Sequence, residues 1–194
     1  MKIICVQHHP QTGNKSFVLK PDSALLLKGN PFFYPDFSNE VDCELNLVIK
    51  INRLGKSIQA KFAHKYYSEV ALGLNFVAKD IQRQAIDGAI PHTLAVGFDD
   101  SAALSEFVPL DKLLDKENIV LQLAHNSAVA SCTINTQTLI QDINHTIETL
   151  SHYMTLKIGD YIYTPMPISH PAIVINDCIE GIINDMPLLK CRIK

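Results

Sequence analysis

Residues 41–51, VDCELNLVIKI, constrain the chain more than any other stretch. Cys43, Leu45, Leu47 and Ile49 alternate with Glu44, Asn46, Val48 and Lys50. Side chains two apart on a strand share a face, so this period of two predicts a strand with Glu44 and Asn46 side by side. Two oxygen-bearing side chains at that spacing can grip one cation, and a third from a neighbouring strand can close the site. Residues 73–82, GLNFVAKDIQ, offer such a neighbour, a strand running into a turn and carrying Asn75.

The remainder of the chain supports one folded unit around that strand. It has 194 residues, 47% hydrophobic and 19% charged, enough apolar material for a sizeable core. No Gly/Ser linker, charge block or repeat divides it, so a single domain over residues 1–194 is expected. A net charge of −3 gives no footprint for nucleic acid or an anionic membrane. Residues 1–6 reach polar Gln7 at once, which does not fit a signal peptide. No apolar run approaches the roughly 18 residues that span a bilayer. Cys5, Cys43, Cys132, Cys178 and Cys191 are scattered and odd in number. That excludes a disulfide framework and CxxC zinc spacing, and suits small buried hydrophobes in a reducing, cytoplasmic setting.

In chain order, residues 2–6 predict a first strand and 7–15 a loop containing His8 and His9. An adjacent histidine pair invites a metal or acid–base role. Neighbours in a loop point in different directions, however, and a surface pair is the plainer reading. Lys20 and Ser23 flank Pro21, where they either face a bound anion or simply make a turn with a solvated lysine. Residues 60–71 have helical spacing with Phe62, Tyr66 and Val70 inward. Residues 119–124 and 128–134 predict a hairpin around 125–127. Residues 138–154 predict a helix with Leu139, Ile143, Ile147, Leu150 and Met154 inward and Thr136 as a cap. Strands are expected within 156–164, 179–184 and 188–193.

Four ordered motifs, FVLKPDSALL, VDCELNLVIKI, LNFVAKDIQ and LKIGDYIYT, together resemble the fumarylacetoacetate hydrolase family. The pattern resembles most its 2-hydroxyhepta-2,4-diene-1,7-dioate isomerase and acylpyruvase-like branch. The resemblance implies a strand-rich α+β fold of stacked, partly rolled mixed β-sheets with about two helices, assembled as a homodimer. It also implies a divalent cation, Mg or Mn, held by a Glu-x-Glu strand and an Asp on its neighbour. That cation binds the 2-oxo acid end of a small substrate during C–C hydrolysis, decarboxylation or isomerisation. On this chain those ligand positions are Glu44, Asn46 and Asn75. Lys20, Ser23, Lys79 and Thr164 fall at positions implied to contact substrate. Lys79 replaces the family's Arg, keeping the charge without the bidentate fork. Val96 stands where a cationic Lys is expected, and Pro165 and Met166 replace a Gly and a Thr. Residues 1–16 leave a shortened strand and lid loop without the family's acid–base helix, so His8, His9 and Lys20 are the remaining candidates for proton transfer.

Two functions follow from this pattern. One is a family protein whose metal and substrate site has eroded, with little or no family catalysis, a weakly held or absent cation, and a role in binding or interaction. The other is a divalent-metal-dependent hydrolase, isomerase or decarboxylase of a small 2-oxo (di)carboxylic acid with a rebuilt site. Oxygens converging at Glu44 would favour the second; a pocket filled by Val96, Phe76 and Met166 would favour the first.

Overall fold

The computed structural model describes residues 1–8, 15–114, 116–166, 168 and 172–194. Its centre is the antiparallel pair β4 (Val41–Lys50) and β5 (Glu69–Ala78), in register from Val41↔Ala78 to Ile49↔Val70. Both strands are buried on both faces over most of their length, and one face of each is wholly apolar. A slip of one residue would carry Leu45, Leu47 and Ile49 to the wrong side, so burial fixes the register.

Outward from β4 lie β10 (Tyr161–Pro165), β1 (Ile3–His8) and β2 (Lys15–Lys20); outward from β5 lie β6 (Ala102–Leu104) and β3 (Leu25–Leu26). Two short strands, β7 (Val108–Pro109) and β11 (Ala172–Ile173), pair with β5 and β4. The β1–β10 and β3–β6 pairs are parallel, so the sheet is mixed. It rolls until its two ends meet. Lys20 Nζ at the end of β2 donates to the Phe76 and Ser101 carbonyls, at 3.0 and 2.7 Å. The Tyr163 hydroxyl on β10 donates across the roll to the Ala103 carbonyl at 3.1 Å.

A second sheet, ordered β13 (Met186–Arg192), β12 (Cys178–Ile183), β8 (Asn118–His125), β9 (Ala128–Asn135), stacks on the outer face of the roll. Leu45, Leu47, Leu72 and Phe76 from the roll share one core with Leu121, Ile179, Ile183 and Leu189 from this sheet. Each such buried side chain contributes about 1.5–3 kcal/mol relative to exposure. The layers approach closely at Gly181, where a Cβ would lie 3.2 Å from Leu72 Cδ1 and 3.3 Å from Leu45 Cδ1.

Five α-helical segments complete the described fold. The long one, α5 (Thr136–Tyr153), buries Leu139, Ile143, Ile147 and Leu150, the face expected from spacing. Its cap is Asn135, whose side chain accepts from the Gln137 and Thr138 amides at 3.0 and 3.2 Å; Thr136 instead donates its hydroxyl to the Lys116 carbonyl. The others are α1 (Ala60–Ala63), α2 (Lys79–Asp87), α3 (Thr93–Val96) and α4 (Asp111–Leu114). The helix expected over 60–71 is therefore only one turn. Phe62 is 45% exposed, and the chain is already extended at Glu69. Pairing of 69–78 with β4 and β6 outweighs the local helical spacing, and Gly73 inside it is a poor helix former.

The expected hairpin is β8–β9, paired from Asn118↔Asn135 to His125↔Ala128. Strand-rich α+β architecture with a partly rolled mixed sheet is thus the observed fold.

Candidate functional site

The register of β4 and β5 builds one polar end inside the roll. Glu44 lies opposite Asn75, and Asn46 opposite Gly73, so all three side chains face inward. Asn75 Nδ2 donates to Glu44 Oε2 at 3.1 Å. Asn46 and Asn75 are each 1% exposed, and neither Oδ1 has a hydrogen-bond partner among the described residues. Two buried acceptors left open beside a carboxylate are costly unless something electropositive meets them. Oxygen donors of this kind suit a hard divalent cation such as Mg or Mn, with Glu44 as the one carboxylate. Among the described residues no group of three His, Cys, Asp or Glu side chains could hold a metal. The donor set therefore fits a cation in kind, with a charge of −1 where three carboxylates would supply −3.

Lys20 is brought to the same end. It is neither solvated nor in a surface turn: it is 3% exposed, and its ammonium is held by the Phe76 and Ser101 carbonyls. Burial pushes its pKa down to about 8, while the charges of Cys5 and Glu44 oppose that shift. Cys5 lies close enough to feel both; burial pushes its thiol up to about 11. Cys5 and Tyr163 line the roll with Ile3, Val48, Ala71, Ala102 and Leu104. Sequence reasoning passed over both. Alternation places Cys5 with Ile3, but no local signal announces that β1 pairs with β10, 158 residues away at Lys2 and Asp160.

The other named residues separate from this cluster. Lys79 begins α2 and lies 3.9 Å from Asp42, two residues before Glu44 on the same face. Ser23 is exposed in the 3-10 turn Asp22–Ala24. Thr164 pairs with Leu47, which puts it on the outer face of the roll, where its hydroxyl donates to the Leu47 carbonyl at 2.8 Å. It is not brought to Glu44. There it lines a cavity of about 370 Å³ with Val6, Lys15, Ile143 and Met166. His9 lies outside the described residues, as does the side chain of His8. The β1–β2 pairing reaches His8↔Lys15.

The proposed fillers also separate. Phe76 points away from Asn75, stacking on Phe32 with ring centroids 3.9 Å apart. Met166 packs with the outer-face core. Only Val96 is inward, buried against Val77 and Ala95 at the end of α3.

Comparison with known proteins accords with this architecture. Residues 5–180 match the family model described as fumarylacetoacetate (FAA) hydrolase C-terminal. The chain is 34% identical over 190 residues to the mitochondrial oxaloacetate decarboxylase of Dictyostelium discoideum, covering 93% of this chain and 87% of that protein. It is 30% identical over 176 residues to the mitochondrial oxaloacetate tautomerase FAHD1 of Bos taurus, covering 91% of this chain and 79% of the other. Among solved structures, 2-hydroxyhepta-2,4-diene-1,7-dioate isomerase from Mycobacterium marinum superposes with a TM-score of 0.84 at 26% identity, over 99% of this chain and 73% of that one. Fumarylpyruvate hydrolase from Pseudomonas aeruginosa, in complex with Mn2+ and pyruvate, superposes with a TM-score of 0.87 at 20% identity, over 100% of this chain and 89% of that one. No helix among the described residues is long and apolar enough to cross a membrane.

Proposed function

The chain belongs to the fumarylacetoacetate hydrolase family, and from that premise we propose that it enolises or decarboxylates a small 2-oxo dicarboxylic acid of the oxaloacetate type. The observation that carries this reading is the pair of open buried oxygens, Asn46 Oδ1 and Asn75 Oδ1, beside Glu44. An eroded site would be expected to close over with apolar side chains. Here Phe76 and Met166 point elsewhere and the polar end is kept. The relatives named for oxaloacetate chemistry support this substrate class.

Glu44, Asn46 and Asn75 would hold the cation. When bound it supplies positive charge against the substrate's carboxylate and 2-oxo oxygen, where negative charge grows as the C–C or C–H bond breaks. Lys20 takes the part that Val96 cannot play. Two of its three ammonium protons are engaged by the Phe76 and Ser101 carbonyls. The third is left to stabilise the enolate or to protonate its carbon, and a pKa near 8 suits proton transfer close to neutral pH. Loss of CO2 would leave the enolate of pyruvate and loss of a C3 proton the enolate of oxaloacetate; both carry negative charge on the former 2-oxo oxygen, so one electrostatic site serves both outcomes.

Binding a cation through one carboxylate and two amides should be weaker than through three carboxylates. A second reading, fold retention with little turnover, draws on buried Val96, which puts an apolar side chain where a polarising ammonium is implied.

The test is a calorimetric titration of Mn2+ with and without oxalate, an inert mimic of the enolate, alongside oxaloacetate turnover. The expected result is Mn2+ binding strengthened by oxalate, lost in Glu44→Gln, and tightened in Asn46→Glu/Asn75→Asp. Wild-type protein that binds neither Mn2+ nor oxalate, while the restored double variant binds both, would sink this reading in favour of the second.

A further inference from the structure

Residues 45–68 contain no aspartate or glutamate, and within them Arg53, Lys56, Lys61 and Lys65 are all exposed. Backbone hydrogen bonds bring a fifth exposed cation to these four. Gly55 and Leu156 exchange N–H···O bonds of 3.0 and 2.8 Å, and the Gly159 amide donates to the Ile51 carbonyl at 2.8 Å. The turn carrying Lys157 therefore lies beside the turn carrying Arg53 and Lys56. The Asn52 amide donates to the Tyr66 carbonyl at 2.9 Å, and Arg53 Cζ lies 6.0 Å from the Tyr66 ring. These contacts tie α1 and its flank to the same end of the molecule. There the ammoniums of Lys61 and Lys65 both sit over the Phe62 ring, 5.0 and 5.2 Å from its centroid.

Among the described residues none of the five cations has a carboxylate partner. The acids that border this end are engaged elsewhere: Glu69 pairs with Lys50, Glu148 accepts from the Ala60 amide, and Asp160 is buried against Lys2. The 12 other basic and 20 acidic side chains of the chain together carry −8, so the overall −3 averages over a sharp local excess of positive charge. Three large apolar side chains stand among the cations. Leu54 is 61% exposed and Ile158 69%, each in its turn, and Phe62 is half-open beneath its two lysines.

We propose that this end of the molecule is a docking surface for a membrane carrying anionic phospholipid. Leu54, Phe62 and Ile158 enter the headgroup layer, and the five cations meet the lipid phosphates. The mixture of side chains selects a membrane over other partners. Nucleic acid would engage the cations but leave Leu54 and Ile158 without a role, since aliphatic chains neither stack on bases nor bond to phosphate. A second copy of the chain would set five cations against five. The surface begins just beyond Lys50, six residues and about 20 Å along β4 from Glu44, so docking leaves the Glu44 end of the roll uncovered.

The experiment is co-sedimentation of the full chain with phosphatidylcholine vesicles containing about 30% phosphatidylglycerol, against vesicles of phosphatidylcholine alone, at about 0.1 M salt. The expected result is binding to the anionic vesicles only, lost as salt is raised to about 0.5 M. Each lysine near an anionic surface contributes about fivefold in affinity, so Lys61→Gln/Lys65→Gln should weaken binding tenfold or more with unchanged far-ultraviolet circular dichroism. Leu54→Ser/Ile158→Ser should also weaken it while leaving the salt dependence in place. In Phe62→Trp the indole emission should shift to the blue on the anionic vesicles, which decides the matter should a double variant fail to fold. Absence of binding at low salt, binding indifferent to both double variants, or an unshifted indole would overturn the proposal. Tighter binding to a DNA duplex that survives Leu54→Ser/Ile158→Ser would overturn it in favour of nucleic acid.

Discussion

Replacing Gly73 by alanine tests the inner geometry of the roll. Position 73 lies opposite Asn46 and two residues before Asn75, beneath the Tyr163 ring. A Cβ there would collide with Tyr163 Cε1 and lie 2.7 Å from Val48 Cγ2 and 3.0 Å from the Ala103 carbonyl oxygen. The ring cannot swing out, because Tyr163 is fully buried and its hydroxyl is tied to that same carbonyl. Overpacking in such a place costs about 1–3 kcal/mol. Displacing the tyrosine hydroxyl adds about 1 kcal/mol. The stiffer unfolded chain of the alanine variant returns about 0.5–1 kcal/mol. The net is a loss of about 2 kcal/mol, or about 4–8 °C in Tm for a chain of this size. Differential scanning calorimetry measures it. In a Tyr163→Leu background the same substitution should cost less by about 1 kcal/mol, since the two positions touch. A Gly73→Ala protein that melts within a degree of wild type would refute the placement of the Tyr163 ring over Gly73.

Two more predictions rest on buried charges. Lys20 has a folded pKa near 8 against 10.5 for the free side chain, so between those values the unfolded chain holds the extra proton. Stability should therefore rise through this window, by on the order of 3 kcal/mol, and be lost again as pH falls towards 8; denaturant melts of Lys20→Met should lack the rise, and an unchanged pH profile would count against the buried ammonium. Asp160, 1% exposed, accepts from the Lys2 and Lys157 amides at 2.8 Å each and pairs with the Lys2 ammonium. Asp160→Ala should cost about 3 kcal/mol by chemical denaturation, because both amides lose their acceptor.

What the sequence made legible depended on how local the signal was. The alternation of residues 41–50 located β4 and put Glu44 and Asn46 on one face of it without outside help. The helical spacing of 139, 143, 147 and 150 likewise located α5. Residues 60–71 misled, since Phe62, Tyr66 and Val70 sit at helical intervals while the decisive contact of Val70 is with Ile49 on β4. Lys20 read equally well as facing a bound anion or as a solvated turn lysine for the same reason. Its partners, the carbonyls of residues 76 and 101, are adjacent only once the sheet rolls. Thr164 carried a motif position without its geometry; pairing with Leu47 turns its hydroxyl to the outer face.

The parallel pairing of β1 with β10 bears on how the chain reaches this state. Strand β1 sits inside the sheet, yet its partner on one side is residues 161–163. Emerging from the ribosome, Ile3 and Cys5 must wait, with one flank open, until most of the polypeptide has been made. Closing a loop of that length is slow, and the exposed flank is a target for mispairing meanwhile. The β4–β5 hairpin and the β8–β9 hairpin, each local, can form early and act as platforms. Closure of the barrel-like roll is then a late and slow event in folding. Substitutions in residues 161–165 should therefore lower the yield of folded protein in cells more than their effect on equilibrium stability alone would suggest.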